Sequence, residues 1–284
     1  MSENIDFDVN FKTEKFARRQ LTIFLMIDCS SSMEGGRIGS VNETMKELLP
    51  ELVEMDDANV ELRLAILTFA TECQWVTPMP MSPEKMAANG WSYLSADGLT
   101  YFGEACMELS RKMSRREGGF MKSASSSFQP VVILLTDGEP IDNYKPGLEA
   151  LWNNKWFKNS MRLALPIDDQ CRLDVLEEFT GKKETVLKPV TRASGLRRML
   201  KTIVIESAAI GSQSGSVGDG DKYTTLVETI KDAQEEEPPA PVPSGNSDPN
   251  PVTGADPASG TDPGPWGDWG DGGWGDDGKI PDWD

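Results

Sequence analysis

The sequence predicts an α/β fold: a doubly wound, mostly parallel six-stranded sheet with helices on both faces, followed by a disordered acidic C-terminal tail. Three observations lead there. Apolar runs of strand length alternate with helical periodicities from about residue 18 to 206. Two of the runs, 21-LTIFLMID-28 and 130-PVVILLTDGEP-140, are apolar almost throughout, as strands covered on both faces are. Composition then changes abruptly: residues 211–284 hold 16 acids against 3 bases, with 10 of the 19 prolines and 14 of the 26 glycines. Such a segment buries too little apolar surface to offset the entropy of ordering it. The expected organisation is therefore an N-terminal arm (1–17), a domain (18–210) and a Pro/Gly/Asp/Trp-rich tail (211–284).

Each element has its own signal. Leu21–Ile27 is the first strand. Ser40 with Glu43 three residues later reads as a capping box, and Val41, Met45, Leu48 and Leu52 follow on one helical face. Leu62–Phe69, a short turn and Cys73–Val76 read as a hairpin whose second strand is antiparallel at the sheet edge. Residues 77–99 read as a loop rich in Pro and Gly, and Phe102, Ala105, Leu109 and Met113 mark the next helix. After the strand ending in Thr136-Asp137-Gly138 come a helix (145–158), a strand (162–166), a helix (172–179), a strand (185–188) and a last helix (194–206). In the tail, Tyr223, Leu226, Val227 and Ile230 give helical spacing over 221–233, a length that is marginal for an isolated helix and is expected to stay unfolded without a partner.

Charge and composition exclude several function classes. A net charge of −18 and a pI near 4.5 set the chain against phosphate backbones and anionic lipid, so neither nucleic acid nor membrane is an expected partner. No apolar run approaches the roughly 20 residues needed to span a bilayer. The first twenty residues are polar, and the four scattered cysteines form no C-x-x-C pair; both lead to the expectation of a cytoplasmic protein. The chain has no histidine, which removes Ser-His and Cys-His nucleophiles and histidine zinc sites.

What remains is a set of hard oxygen donors. Asp28, Ser30 and Ser32 form D-x-S-x-S at the carboxyl end of the first strand, Asp137 follows the most apolar strand, and Thr100 lies in 97-DGLTYFGEA-105 just before a helix. An Asp/Ser-rich turn capping the next helix would account for part of 28-DCSSS-32, though a turn does not need four such side chains in five positions. Ligands of open α/β sheets settle beyond the carboxyl ends of the strands where strand order reverses. If the strands bearing Asp28 and Asp137 are neighbours there, the five oxygen side chains converge. Two carboxylates and three hydroxyls suit Mg2+, with Mn2+ the close competitor; Ca2+ prefers more carboxylates. An ion whose charge its ligands only partly compensate can take a carboxylate from another molecule.

At these residues the sequence resembles the von Willebrand factor type A (vWA) domain with its metal-ion-dependent adhesion site. The pattern D-x-S-x-S, a threonine on a later loop and an aspartate after the fourth strand is met by Asp28-Cys29-Ser30-Ser31-Ser32, Thr100 and Asp137. The resemblance implies that Ser30, Ser32 and Thr100 touch the metal and that Asp28 and Asp137 act directly or through water. More narrowly, 134-LLTDGEP-140 and LEEFTG…VLKP resemble the bacterial TerY type. That implies an adaptor in a stress-response, tellurite-resistance or phage-defence system, with a PP2C-type phosphatase and a Ser/Thr kinase as partners. Some relatives carry a cysteine-rich C-terminal module, and here an acidic tryptophan tail stands in its place.

The expected function is thus a non-enzymatic, Mg2+-dependent protein-interaction module. The alternatives are an effector phosphorylated at Thr224, Thr225 or within 123-SASSS-127, and a metal-dependent hydrolase. Asp142 reads as a helix cap, as do Asp168 and Asp169. In 266-WGDWGDGGWGDDGKIPDWD-284, Trp266, Trp269, Trp274 and Trp283 are expected to bind a partner, because four aromatic side chains are costly to leave in water.

Overall fold

The structure, a computed structural model, describes residues 18–54, 60–122, 128–167, 169, 171–190, 192–212, 224–225 and 227–232. The chain divides after Pro239 into two units, and the second, which holds the four terminal tryptophans, lies outside the described residues.

The first strand, β1 (Arg19–Asp28), is followed by helix α1 (Gly36–Glu54), strand β2 (Val60–Phe69) and the short edge strand β3 (Cys73–Trp75). Helices α2 (Pro83–Asn89) and α3 (Phe102–Lys112) lead to β4 (Val131–Thr136). Helices α4 (Lys145–Trp152) and α5 (Lys155–Lys158), strand β5 (Met161–Pro166) and helices α6 (Leu173–Thr180) and α7 (Ala193–Ser212) complete the order. Among the described residues one five-stranded sheet forms, in the order β3-β2-β1-β4-β5. All neighbours are parallel except β2 and β3, so the sheet is mixed with its antiparallel strand at the edge, as the hairpin reading requires.

Alternation along β1 builds two cores from one strand. Leu21, Ile23, Leu25 and Ile27 face a cluster with α1 and α7 residues such as Met45, Leu49, Leu200 and Ile203. Phe24 and Met26 face the opposite cluster, with Leu109 of α3, Leu148 of α4 and Phe179 of α6. Each fully buried large apolar side chain contributes about 1.5–3 kcal/mol, so the two clusters together fix β1 at the centre of the molecule.

Five expectations are corrected. The sixth strand, 185–188, is instead a 3-10 turn (Lys183–Thr185) and a single bridge of Val186 to Ala164. Pro189 has no N–H to continue a regular ladder, and it is Val190 N that donates to Pro166 O at 2.9 Å. Ser40 is not an N-cap: α1 begins four residues earlier, and the Ser40 hydroxyl donates back to the Gly36 carbonyl within the helix. The 145–158 helix is two helices, broken where Asn154 caps the second by accepting from Trp156 N. The presumed loop at 77–99 contains α2, capped by Ser82 with Pro83 in the first turn. Finally, the described residues of the 221–233 segment are not left unfolded: Val227 and Ile230 are buried in the α1/α7 cluster.

Candidate functional site

The reversal of strand order falls between β1 and β4. The chain leaves β1 toward β2 on one side, and β4 lies on the other. Register pairs Ile27 with Leu135, so Asp28 and Thr136 end side by side at the carboxyl edge. There the Thr136 hydroxyl donates to Asp28 Oδ2 at 2.6 Å, and Ser30 N donates to Asp28 Oδ1 at 2.9 Å. The Ser32 hydroxyl donates to Asp137 Oδ1 at 2.8 Å and lies 3.0 Å from the Ser30 hydroxyl. Four of the five expected side chains are therefore linked edge to edge across two strands.

The fifth arrives on the 97–100 loop, which backbone bonds tie to the rest of the rim. Asp97 N donates to Cys29 O at 2.8 Å, Ser31 N to Gly98 O at 3.0 Å and Ile141 N to Thr100 O at 3.1 Å. Gly98 is needed for this approach. Its φ is +83°, and a side chain there would meet Thr71 Oγ1 at 2.5 Å, the same hydroxyl that accepts from Leu99 N. The result is a cradle beside Gly138. A methyl group placed on Gly138 would stand 3.4 Å from each of Asp28 Oδ2, Ser32 Oγ and Thr100 Oγ1. Three oxygens from three separated segments thus face one point.

Charge at this point is unbalanced among the ligand-type side chains. Asp28 is wholly buried, and burial pushes its carboxyl above the usual carboxylate range. Hydrogen bonds from Thr136 and Ser30 pull the other way, and nearby Asp137 adds to the rise. Asp137 has a cation: Arg37 Nη1 lies 3.2 Å from its Oδ2. Two buried carboxylates, two serine hydroxyls and a threonine hydroxyl around one point fit a small hard dication. The oxygen–oxygen separations of 2.8 and 3.0 Å match the spacing of adjacent ligands around an octahedral ion at 2.0–2.1 Å, which is about 3 Å.

Two contributors escaped the sequence reading. Thr136 orients Asp28, and its only signal was its place before Asp137-Gly138. Arg37 reaches Asp137 from the second residue of α1, a contact no local pattern announces. Asp142 does cap a helix, accepting from Gly103 N at 2.8 Å in the first turn of α3. Asp169 is exposed and caps nothing; the first turn of α6 carries Asp174, paired with Arg172, and Asp168 lies outside the described residues. Among the described residues no three His, Cys, Asp or Glu side chains gather elsewhere in a metal-binding group. No described helix is long and apolar enough to cross a membrane.

Comparison with known proteins bears on the same part of the chain. The family model of the von Willebrand factor type A domain matches residues 22–155, the span from β1 to the start of α5. Comparison with curated proteins gives no match. Among solved structures, proximal thread matrix protein 1 from the mussel byssus aligns with a TM-score of 0.51 at 20% identity, covering 67% of this chain and 48% of that one. A second structure of that protein, with a zinc-occupied MIDAS motif, gives 0.50 at the same identity and coverage. A von Willebrand factor type A protein from Catenulispora acidiphila gives 0.46 at 15% identity, covering 76% of this chain and 43% of that one. The chain spans less than half the length of each. The family model and the sheet thus liken residues 22–155 to a von Willebrand factor type A domain.

Proposed function

We propose that this domain is a Mg2+-dependent protein-binding module whose metal ligands are Asp28, Ser30, Ser32, Thr100 and Asp137, and that it captures an Asp or Glu side chain of a partner. The observation that carries this reading is the cradle beside Gly138, with three oxygens at 3.4 Å around one point. Bound there, the ion supplies a Lewis-acidic vertex for an outside carboxylate. The chain's own residues do the rest. Thr136 and the Ser30 amide orient Asp28, Ser32 links Asp137 to Ser30, and the 97–100 loop brings up Thr100. An all-oxygen donor set favours Mg2+, with Mn2+ next; zinc, named in the mussel protein's MIDAS, prefers nitrogen and sulfur.

The module is read as non-enzymatic, because one ion with hydroxyl ligands is a poor activator of water and no histidine accompanies it. Its setting is proposed to be cytoplasmic and TerY-like, with a PP2C-type phosphatase and a Ser/Thr kinase as partners. Only the segments 134-LLTDGEP-140 and LEEFTG…VLKP support that setting. Trp266, Trp269, Trp274 and Trp283 are proposed as a second, tethered docking element that raises effective concentration at the metal site.

The test is affinity capture from cell extract on the full chain, in Mg2+ and in EDTA, with Asp137→Ala alongside. The reading requires a set of proteins retained in Mg2+ and lost both in EDTA and on the variant. An identical set in all three would overturn it. A second reading has one observation in its favour: Thr224 and Thr225 are exposed, as a kinase target must be, whereas 123–127 lies outside the described residues. Phosphopeptide mass spectrometry of the cell-derived chain tests it, and unmodified Thr224 and Thr225 would end it.

A further inference from the structure

We infer that Arg37 is a built-in countercation of the metal site, holding Asp137 in competition with the divalent ion and so setting the ion's affinity. The inference rests on the metal-site reading above and concerns its regulation.

The two carboxylates of the site are held differently. Asp28 accepts only neutral donors in its described hydrogen bonds, the Thr136 hydroxyl and the Ser30 amide. Asp137, with a side chain only 1% exposed, receives the Ser32 hydroxyl on Oδ1 and the Arg37 guanidinium on Oδ2. Arg37 is also fastened behind the site, donating from Nη1 to the Ser32 carbonyl at 2.6 Å. One guanidinium nitrogen thus bridges the D-x-S-x-S loop and the acid that follows β4.

Helix formation does not explain this cation. Arg37 is the second residue of α1, where the helix dipole presents its positive end and a cation is disfavoured; the first turn contains no acid to offset it. Nor is the contact a peripheral surface pair, because one partner is buried and is itself one of the five oxygen side chains. What the placement does provide is charge compensation for a carboxylate in a poorly solvated rim. A dication drawing on Asp137 must share that carboxylate with a fixed positive charge a few ångströms away, and like charges at such distances repel strongly. The guanidinium remains 38% exposed, so once its hold on Asp137 loosens it lies at the mouth of the site where an incoming acid arrives.

The experiment is Mn2+ binding to the full-length, chelator-stripped chain, followed by the electron paramagnetic resonance signal of free aqueous Mn2+. The wild type is compared with Arg37→Gln, which loses the charge while keeping an N–H donor on a shorter side chain, and with Arg37→Lys, which keeps the charge. Thermal melts by circular dichroism verify that each variant is folded. Arg37→Gln is expected to bind Mn2+ about tenfold more tightly, a partly solvated charge–charge effect, and Arg37→Lys to stay near wild type. Wild type that binds Mn2+ with an affinity equal to or above that of Arg37→Gln would overturn the countercation role and leave the metal site standing. Absence of binding in both proteins would remove the metal site itself and this inference with it. Binding by Arg37→Gln alone would support the role in its strongest form.

Discussion

The carboxyl ends of β1 and β4 differ from that of β5, although all three are apolar strands that run toward acids. Beyond β1 and β4, Asp28 and Asp137 meet around a common cradle with two serines and a threonine. Beyond β5, Pro166 and Ile167 lead to an exposed Asp169 that gathers no comparable set of oxygens. Chemistry of the side chains does not distinguish these places. Topology does: only between β1 and β4 do the connections depart in opposite directions, leaving a crevice that a third loop can enter. An acid after a strand thus joins such a cradle only where the sheet opens.

That contrast can be tested by taking its parts away in turn. The largest effect is expected for Asp137→Ala, which should weaken Mn2+ binding at least about 100-fold by calorimetry while the melting curve still shows a folded domain, because the proposed site loses one of its two carboxylates. Gly98→Val should come next. The side chain cannot adopt φ +83° comfortably and would collide with Thr71 Oγ1, so Thr100 would be drawn off the cradle. An affinity loss of 10-fold or more is expected there. Thr136→Val removes the donor to Asp28 Oδ2 without changing shape; metal affinity should fall about tenfold and stability by about 1–2 kcal/mol, read from urea unfolding. The smallest effect belongs to the β5 edge, where Asp169→Asn should leave Mn2+ affinity unchanged. A loss there comparable to that of Asp137→Ala would erase the distinction between the two edges.

Much of this was legible in the sequence because the controlling signals are local. Continuous apolar runs name β1 and β4, and a run ending in Asp or Thr-Asp-Gly names the rim. The hairpin to β3 was legible from its short turn at 70–72. Other features depend on partners far along the chain. Residues 185–188 carry strand-like chemistry, but Pro189 limits them to one bridge. The Ser82-Pro83 pair that starts α2 is a helix signal hidden by the prolines before it, Pro78 and Pro80. Val227 and Ile230 have the spacing of an amphipathic turn, yet only the α1/α7 cluster reveals where that face goes. Arg37 and Thr136 act across 100 and 108 residues of sequence respectively, distances over which no residue pattern speaks.

The cysteines add a check on the packing. Burial pushes the Cys73 thiol up to about 12, with Glu108, Glu104 and Asp142 adding to the rise, so almost none of it is thiolate at pH 8. Native Cys73 should therefore react with iodoacetamide far more slowly than the unfolded chain, and equal rates would show that the β2–β3 edge is not closed as described.

The most direct measurement is anomalous diffraction from crystals of the chain soaked in Mn2+. The account predicts a single strong peak beside Gly138, about 2.2 Å from the hydroxyls of Ser30 and Ser32, with Asp28, Thr100 and Asp137 surrounding it. A map with no peak there at saturating Mn2+, or with the ion held by other residues, would contradict it.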